Sequence, residues 1–301
     1  MFGSIFVTVL LPLILIAGLA YALGRWTHLD PRPPARVTFY LFNPSLVFIT
    51  LANTTVPQEI FGRLALLKLL ICVALVLLAL FVARQLRCSA PAMSALALSA
   101  AFANSGNFGL SVSEYAFGQA GLALAVICYV TDNVMINSLG VYLAAHGRAS
   151  VRRSILQMFL NPALYAVPLG LVANRFGWVL PLPLERPLEM LGRAAVPTML
   201  VVLGLQLAAL PVDRRHWKLI GLATFFRLGL APLLALALAI PLGLSGLARQ
   251  VGVLQAAVPT AVTASIIASR YDAEPNLVAG SVLVSSLVSL VTVTAILTWM
   301  A

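Results

Sequence analysis

Hydrophobic positions along this chain gather into ten long runs, with only short polar punctuation between them. The runs lie near residues 4–24, 35–53, 62–83, 92–114, 120–145, 155–173, 187–209, 217–241, 247–269 and 277–300. A helix needs about 20 apolar residues to cross the hydrocarbon core of a bilayer, and the runs have that length. Barrel strands are about ten residues of alternating character, so the pattern excludes a barrel. Inside lipid every backbone polar group must be satisfied internally, which leaves helices. Ten such helices leave about 100 residues for all loops and ends, too few for a soluble domain. The first run opens at Ile5 with no basic stretch before it. It reads as a first span rather than a cleaved leader.

Composition points the same way. Of 301 residues, 61% are hydrophobic and 9% charged, and the mean hydropathy is +1.01. A soluble domain carries about 25% charged residues. A net charge of +10 would suggest nucleic acid in a soluble protein, but here the basic residues sort by loop and no nucleic-acid partner is expected. Loops after odd-numbered runs hold Arg25, Arg32, Arg36, Arg84, Arg87, Arg148, Arg152, Arg153, Arg214, Arg215, Lys218 and Arg270, twelve in all. Loops after even-numbered runs, or the helix ends beside them, hold six: Arg63, Lys68, Arg175, Arg186, Arg193 and Arg249. The positive-inside rule then places the odd loops in the cytoplasm and both termini outside. Cys72, Cys88 and Cys128 include no CxxC pair, so neither a disulfide framework nor a metal site is indicated.

The two halves of the chain resemble each other. Phe42-Asn43-Pro44-Ser45 in the second run matches Ala195-Val196-Pro197-Thr198 in the seventh. Ser113-Glu114-Tyr115 matches Ser269-Arg270-Tyr271, and Pro12 matches Pro162. This predicts two five-helix units, 1–150 and 151–301. Five is odd, so the second unit enters the membrane inverted. The expected fold is an all-α membrane protein of ten transmembrane helices in two inverted five-helix repeats, an architecture common among secondary transporters.

Helices 4 and 9 are predicted to be broken. The fourth run contains Asn104-Ser105-Gly106-Asn107-Phe108-Gly109, with two amides and two glycines mid-span. The ninth contains Pro259-Thr260-Ala261-Val262-Thr263. Proline removes a backbone donor and clashes with the preceding turn. Aligned on Tyr115 and Tyr271, Asn104 corresponds to Thr260 and Asn107 to Thr263. Paired interruptions of this kind mark transporter binding sites, and the N-terminal ends of half-helices attract anions. Close packing by small residues is the structural alternative. Asn104, Gly106, Asn107, Pro259, Thr260 and Thr263 are therefore the candidate substrate residues. Asn43, Pro44 and Pro197 are read as helix kinks, which need no ligand to explain them.

Asp132, in the fifth run, is the one acid well inside a span, and a buried carboxylate marks a functional site. It can carry a proton, hold sodium or pair with a cation. Asn133 and Asn137 share a face beside it. Arg227, deep in the eighth run, is the candidate partner for Asp132 and equally a candidate ligand for an anionic substrate. Lys68, nearer a helix start, can snorkel toward the interface. No cofactor or metal is expected, only proton or sodium coupling.

Taken in order, these residues resemble the auxin efflux carrier (AEC) family, the bacterial relatives of the plant PIN carriers. The resemblance covers Asn43-Pro44, Asn104-Ser105-Gly106 with Gly109, Asp132, Val196-Pro197 with Gly204, Pro259-Thr260-Ala261-Val262, and Tyr271 through Ser285-Ser286 to Thr292. The chain departs from the family at Ser111, where proline is common, and at Thr263, where asparagine is common. The resemblance implies that helices 4 and 9 cross at their broken midpoints. It also implies a scaffold of helices 1, 2, 6 and 7 that forms a homodimer, and a mobile unit of helices 3–5 and 8–10. Its known members carry organic anions, among them auxin in plants and malate or malonate in bacteria. The plant-type long loop after helix 5 is absent, and the segment after Gly147 is short and basic, which suits a bacterial inner-membrane member.

The resulting expectation is a secondary transporter for a small organic anion working by alternating access. A sodium-coupled carrier of the bile-acid-transporter type and a non-transporting receptor are the alternatives. An enzyme is disfavoured. His28, His146 and His216 lie near loops or span ends, there is no HExxH motif, and a single mid-span acid does not make an aspartyl dyad.

Overall fold

The computed structural model describes residues 1–54, 56–145, 161–178, 180–211 and 215–301. Arg148, Arg152, Arg153, Arg214 and His146, the start of the 155–173 run and the expected boundary at 150/151 fall outside the described residues. Among the described residues every named element is helical. In chain order these are α1 (Phe2–Thr27), α2 (Arg32–Ala52), α3 (Gln58–Gln85), α4 (Ala90–Ala101) and α5 (Ser105–Ala144). They continue with α6 (Pro162–Arg175), α7 (Leu182–Ala209) and α8 (Trp217–Ala239). The last are α9 (Gly246–Ala256), α10 (Val262–Tyr271) and α11 (Pro275–Met300).

Seven of these described helices, α1, α2, α3, α5, α7, α8 and α11, are long and apolar enough to cross a membrane. That differs from ten unbroken runs because of the breaks. The 92–114 run is divided between α4 and the start of α5, and the 247–269 run between α9 and α10. α4, α9 and α10 have 12, 11 and 10 residues, each too short to span alone. α5 in turn joins the end of the fourth run to the fifth through a sharp turn at Gly118, whose φ of 65° is a conformation glycine adopts without strain.

Local chemistry explains several element ends. Ser89 caps α4 with its hydroxyl and Asn161 caps α6 with its side-chain oxygen, which accepts from the Ala163 N–H at 3.0 Å. Prolines inside the long helices are accommodated rather than excluded. π-helical turns at Phe6–Leu10, Thr38–Phe42 and Phe226–Leu230 each stop two residues before Pro12, Pro44 and Pro232. The wider turn gives the proline ring room and absorbs the missing donor. α7 runs continuously through Pro197.

Small residues bring helices together. A Cβ on Gly204 of α7 would lie 2.1 Å from the Ala17 carbonyl oxygen of α1, and one on Gly170 of α6 would lie 2.9 Å from the Phe48 carbonyl oxygen of α2. Van der Waals packing of this kind drives association where lipid competes for every apolar surface. α1, α2, α6 and α7 pack mainly on one another. α3, α4, α5, α8, α9, α10 and α11 surround the two breaks.

Candidate functional site

The two helix breaks meet. Ala103 and Thr260 form an antiparallel bridge. The Asn104 N–H donates to the Pro259 carbonyl at 2.8 Å, and the Ala261 N–H donates to the Phe102 carbonyl at 2.9 Å. Backbone groups released by each break are thus satisfied by the other, as a dry interior requires. Four helix ends converge on this point: the C-terminal ends of α4 and α9 and the N-terminal ends of α5 and α10.

The C-terminal ends carry partial negative charge and unpaired carbonyls, and two cations cover them. Arg227 is 1% exposed. Its guanidinium donates to the Ala101 carbonyl at 3.0 Å and to that of Ala100, both on α4, and to the Ala256 carbonyl on α9. Lys68, 2% exposed, donates to the Gln255 carbonyl at 3.0 Å. The same ammonium lies 2.8 Å from the Asp132 carboxylate, which also accepts from the Ser105 hydroxyl.

These contacts correct two expectations. The partner of Asp132 is Lys68, not Arg227, whose fork is taken up by carbonyls. Lys68 does not snorkel: it lies ten residues beyond the start of α3 and points into the protein, held by Asp132 and the α9 end.

The N-terminal ends open instead onto a cavity of about 470 Å³. It collects most of the residues singled out from the sequence: Asn43, Asn104, Gly106, Asn107, Asp132, Asn133, Asn137 and Thr263. It does not collect Pro259, Thr260, Arg227, Pro44 or Pro197. Thr260 faces the protein instead. Its hydroxyl donates to the Ser99 carbonyl at 2.7 Å, and its N–H donates to the Ser285 hydroxyl at 3.0 Å.

A chain of amides runs along the cavity wall and, at Asn161, behind it. Asn137 donates to the side-chain oxygen of Asn133 at 2.8 Å, and Asn161 donates to the same oxygen at 2.7 Å. Asn43 donates to the Tyr129 hydroxyl at 2.8 Å. Asn107 donates to the Gln206 side-chain oxygen at 3.3 Å, tying the first break to α7.

Ser105, Tyr129, Gln206, Arg36 and Arg270 also line this cavity and were not singled out from the sequence. Two of them carried a usable signal. Tyr129 precedes Asn133 and Asn137 at four-residue steps, on their helical face. Gln206 is the lone amide of its run. A second cavity, about 780 Å³, lies between residues 46–54, at the end of α2 and just beyond it, and residues 189–196 of α7. It contains neither break.

The family model described as membrane transport protein matches residues 5–297. An uncharacterized transporter of Methanocaldococcus jannaschii is 24% identical over 295 residues, 95% of each chain. A candidate malonate transporter of Rhizobium meliloti is 26% identical over 205 residues, 65% of this chain and 64% of that one. A candidate auxin efflux carrier component of Oryza sativa subsp. japonica is 27% identical over 139 residues, 44% of this chain and 25% of that one. Matched along nearly all its length, with apolar helices built around two meeting breaks, the chain belongs to the auxin efflux carrier family of membrane transport proteins and is an integral membrane transport protein, not an enzyme.

Proposed function

We propose that this protein is a secondary transporter for small organic anions, working by alternating access. The observation that carries the reading is the meeting of two helix breaks beside a polar cavity. Both C-terminal ends are neutralised by buried cations, and both N-terminal ends are left facing the cavity with amides around them. Fixed N–H dipoles at helix starts favour a carboxylate. The amides of Asn104 and Asn107 add directed donors, and Arg36 and Arg270 raise the positive potential at the cavity wall. A relative described as a candidate malonate transporter supports the same substrate class.

In this reading the chain forms ten spans in two inverted units, 1–150 and 151–301. The helices built from the first, second, sixth and seventh runs serve as a homodimeric scaffold, and those from runs 3–5 and 8–10 move the site across the membrane. The basic loops lie in the cytoplasm of a bacterial cell, with both termini outside. The cavity is walled by Arg36 and Arg270, which the charge tally assigns to cytoplasmic loops, so it is the inward-facing access.

Coupling falls to Asp132. Its carboxylate already has a resident cation, the Lys68 ammonium at 2.8 Å, itself bound to a carbonyl as a metal ion would be. A sodium ion would have to displace that ammonium, whereas a proton taken up from solution can add to the carboxylate without displacing it. The expected behaviour is therefore proton-linked and independent of sodium. Malonate uptake into liposomes holding the purified protein, driven by a pH gradient, is expected to be unchanged when choline replaces sodium. Uptake that stops without sodium contradicts the assignment of Lys68.

A further inference from the structure

Alternating access needs a second mouth, and the 780 Å³ cavity is placed to be one. Arg193 lines it, and the charge tally assigns Arg193 to the outer side. Arg36 and Arg270, on the wall of the 470 Å³ cavity, belong to the inner side by the same tally. Glu114 of α5 also lines the outer cavity. The match between Ser113-Glu114-Tyr115 and Ser269-Arg270-Tyr271 makes Glu114 the counterpart of Arg270 on α10. Inverted units set such counterparts at opposite mouths, and these two residues line different cavities. Their charges have opposite sign.

The two linings also differ in their balance of charge. In the outer cavity Glu189 is paired with Arg193 at 3.6 Å, which leaves Glu114 uncompensated. No cation among the described residues pairs with Glu114. Its carboxylate accepts instead from the Gln119 side-chain N–H at 2.9 Å. Gln119 follows directly on Gly118, whose φ of 65° turns the chain there. A neutral donor thus fixes the carboxylate at the lining without cancelling its charge. In the inner cavity Asp132 is matched by Lys68 at 2.8 Å, which leaves Arg36 and Arg270. Neither has an acidic partner among the described residues. The excess is one negative charge at the outer mouth and two positive charges at the inner one.

We propose that Glu114 is a specificity-determining residue that makes the carrier take anions less readily from the outer side than from the inner side. This rests on the transport reading above and adds a sidedness to it. Charges of one sign lining a cleft with low-dielectric walls focus their field into it and change the local concentration of a charged substrate. Arg36 and Arg270 draw a dicarboxylate into the inner cavity, and Glu114 repels it from the outer one. The effect scales with substrate charge, and salt weakens it because both mouths reach solvent. A glutamine at 114 keeps an acceptor for Gln119 and removes only the charge.

The test compares labelled malonate uptake into right-side-out and inside-out membrane vesicles from expressing cells, above the background of vesicles without the protein. The pH is equal on both sides and the membrane potential is collapsed. The wild-type KM is expected to be at least about threefold lower in inside-out vesicles, which present the inner mouth. Glu114→Gln is expected to lower the outer KM by about threefold and to leave the inner KM within about 1.5-fold of wild type. Raising the ionic strength from about 0.01 M to about 1 M is expected to bring the two wild-type values together, the outer falling and the inner rising. A merely structural role for Glu114 would not move the two values in opposite directions. Equal KM values at the two faces, or an outer KM that Glu114→Gln leaves unchanged, overturn the proposal and leave the transport reading intact. No uptake into either vesicle type, with the protein present in the membrane, overturns both. Should Glu114→Gln fail to reach the membrane, the wild-type values and their response to salt decide.

Discussion

The two breaks correspond in position but not in chemistry. The first, from Phe102 to Asn104, and the α5 turn that follows it send Asn104, Ser105, Gly106 and Asn107 into the cavity. The second, centred on Pro259, contributes Ala261 and, just beyond it, Thr263. Its other hydroxyl, on Thr260, is turned inward to the Ser99 carbonyl. The first break is followed at once by a helical turn of amide, hydroxyl and glycine residues, Asn104 to Asn107, which face the cavity. The second is made by proline, which ends a helix by its ring and its missing donor and offers no side-chain polarity. A pair of interrupted helices therefore divides the labour: one supplies ligand groups and the other supplies backbone geometry. The two buried cations, Arg227 and Lys68, lie on the C-terminal ends, outside the cavity lining.

The comparison can be broken most forcefully at Arg227, which holds both breaks at once. Arg227→Leu strands three carbonyls, those of Ala100, Ala101 and Ala256. Each buried unpaired group costs about 1–3 kcal/mol, so the expected result is loss of a folded, monodisperse species in detergent, read by size-exclusion chromatography. An unchanged elution profile would show that the two helix ends do not need the cation.

A smaller effect separates stability from coupling at the ion pair. Asp132→Asn leaves Lys68 buried and unpaired, which costs about 3–5 kcal/mol. The double variant Asp132→Asn with Lys68→Met removes both charges and is expected to recover most of the lost Tm while uptake stays abolished. Recovery of uptake along with Tm would reduce the pair to a structural element.

Much of this architecture can be read locally. Hydrophobic runs mark membrane helices because lipid enforces them residue by residue. Gly106, Gly109 and Pro259 mark the breaks because their effects on the backbone are intrinsic. Asp132 stands out because a carboxylate in an apolar run is costly without a partner.

What the sequence conceals is set by tertiary contact. Lys68 lies 64 residues from Asp132 and Arg227 lies 126 residues from Ala101, and nothing in either local pattern says which anion or carbonyl each cation meets. The inward turn of Thr260 is hidden for the same reason, since its position in the break matches Asn104 while its neighbours do not. Arg36 and Arg270 read only as loop charges until the fold brings them to the cavity wall. The turn at Gly118, by contrast, falls between the fourth and fifth runs, where the pattern places a loop.

The most direct test of the account sets the two breaks against each other by their corresponding residues. Malonate uptake and thermal unfolding are measured in parallel for Asn104→Ala and Thr260→Val. Thr260→Val removes one buried hydrogen bond and is expected to lower stability by about 1 kcal/mol while uptake stays within about twofold of wild type. Asn104→Ala removes an amide whose Nδ2 has no protein partner, and is expected to leave stability nearly unchanged while uptake falls at least about tenfold. The reverse outcome, uptake lost at Thr260 and retained at Asn104, would contradict the claim that the first break carries the binding chemistry.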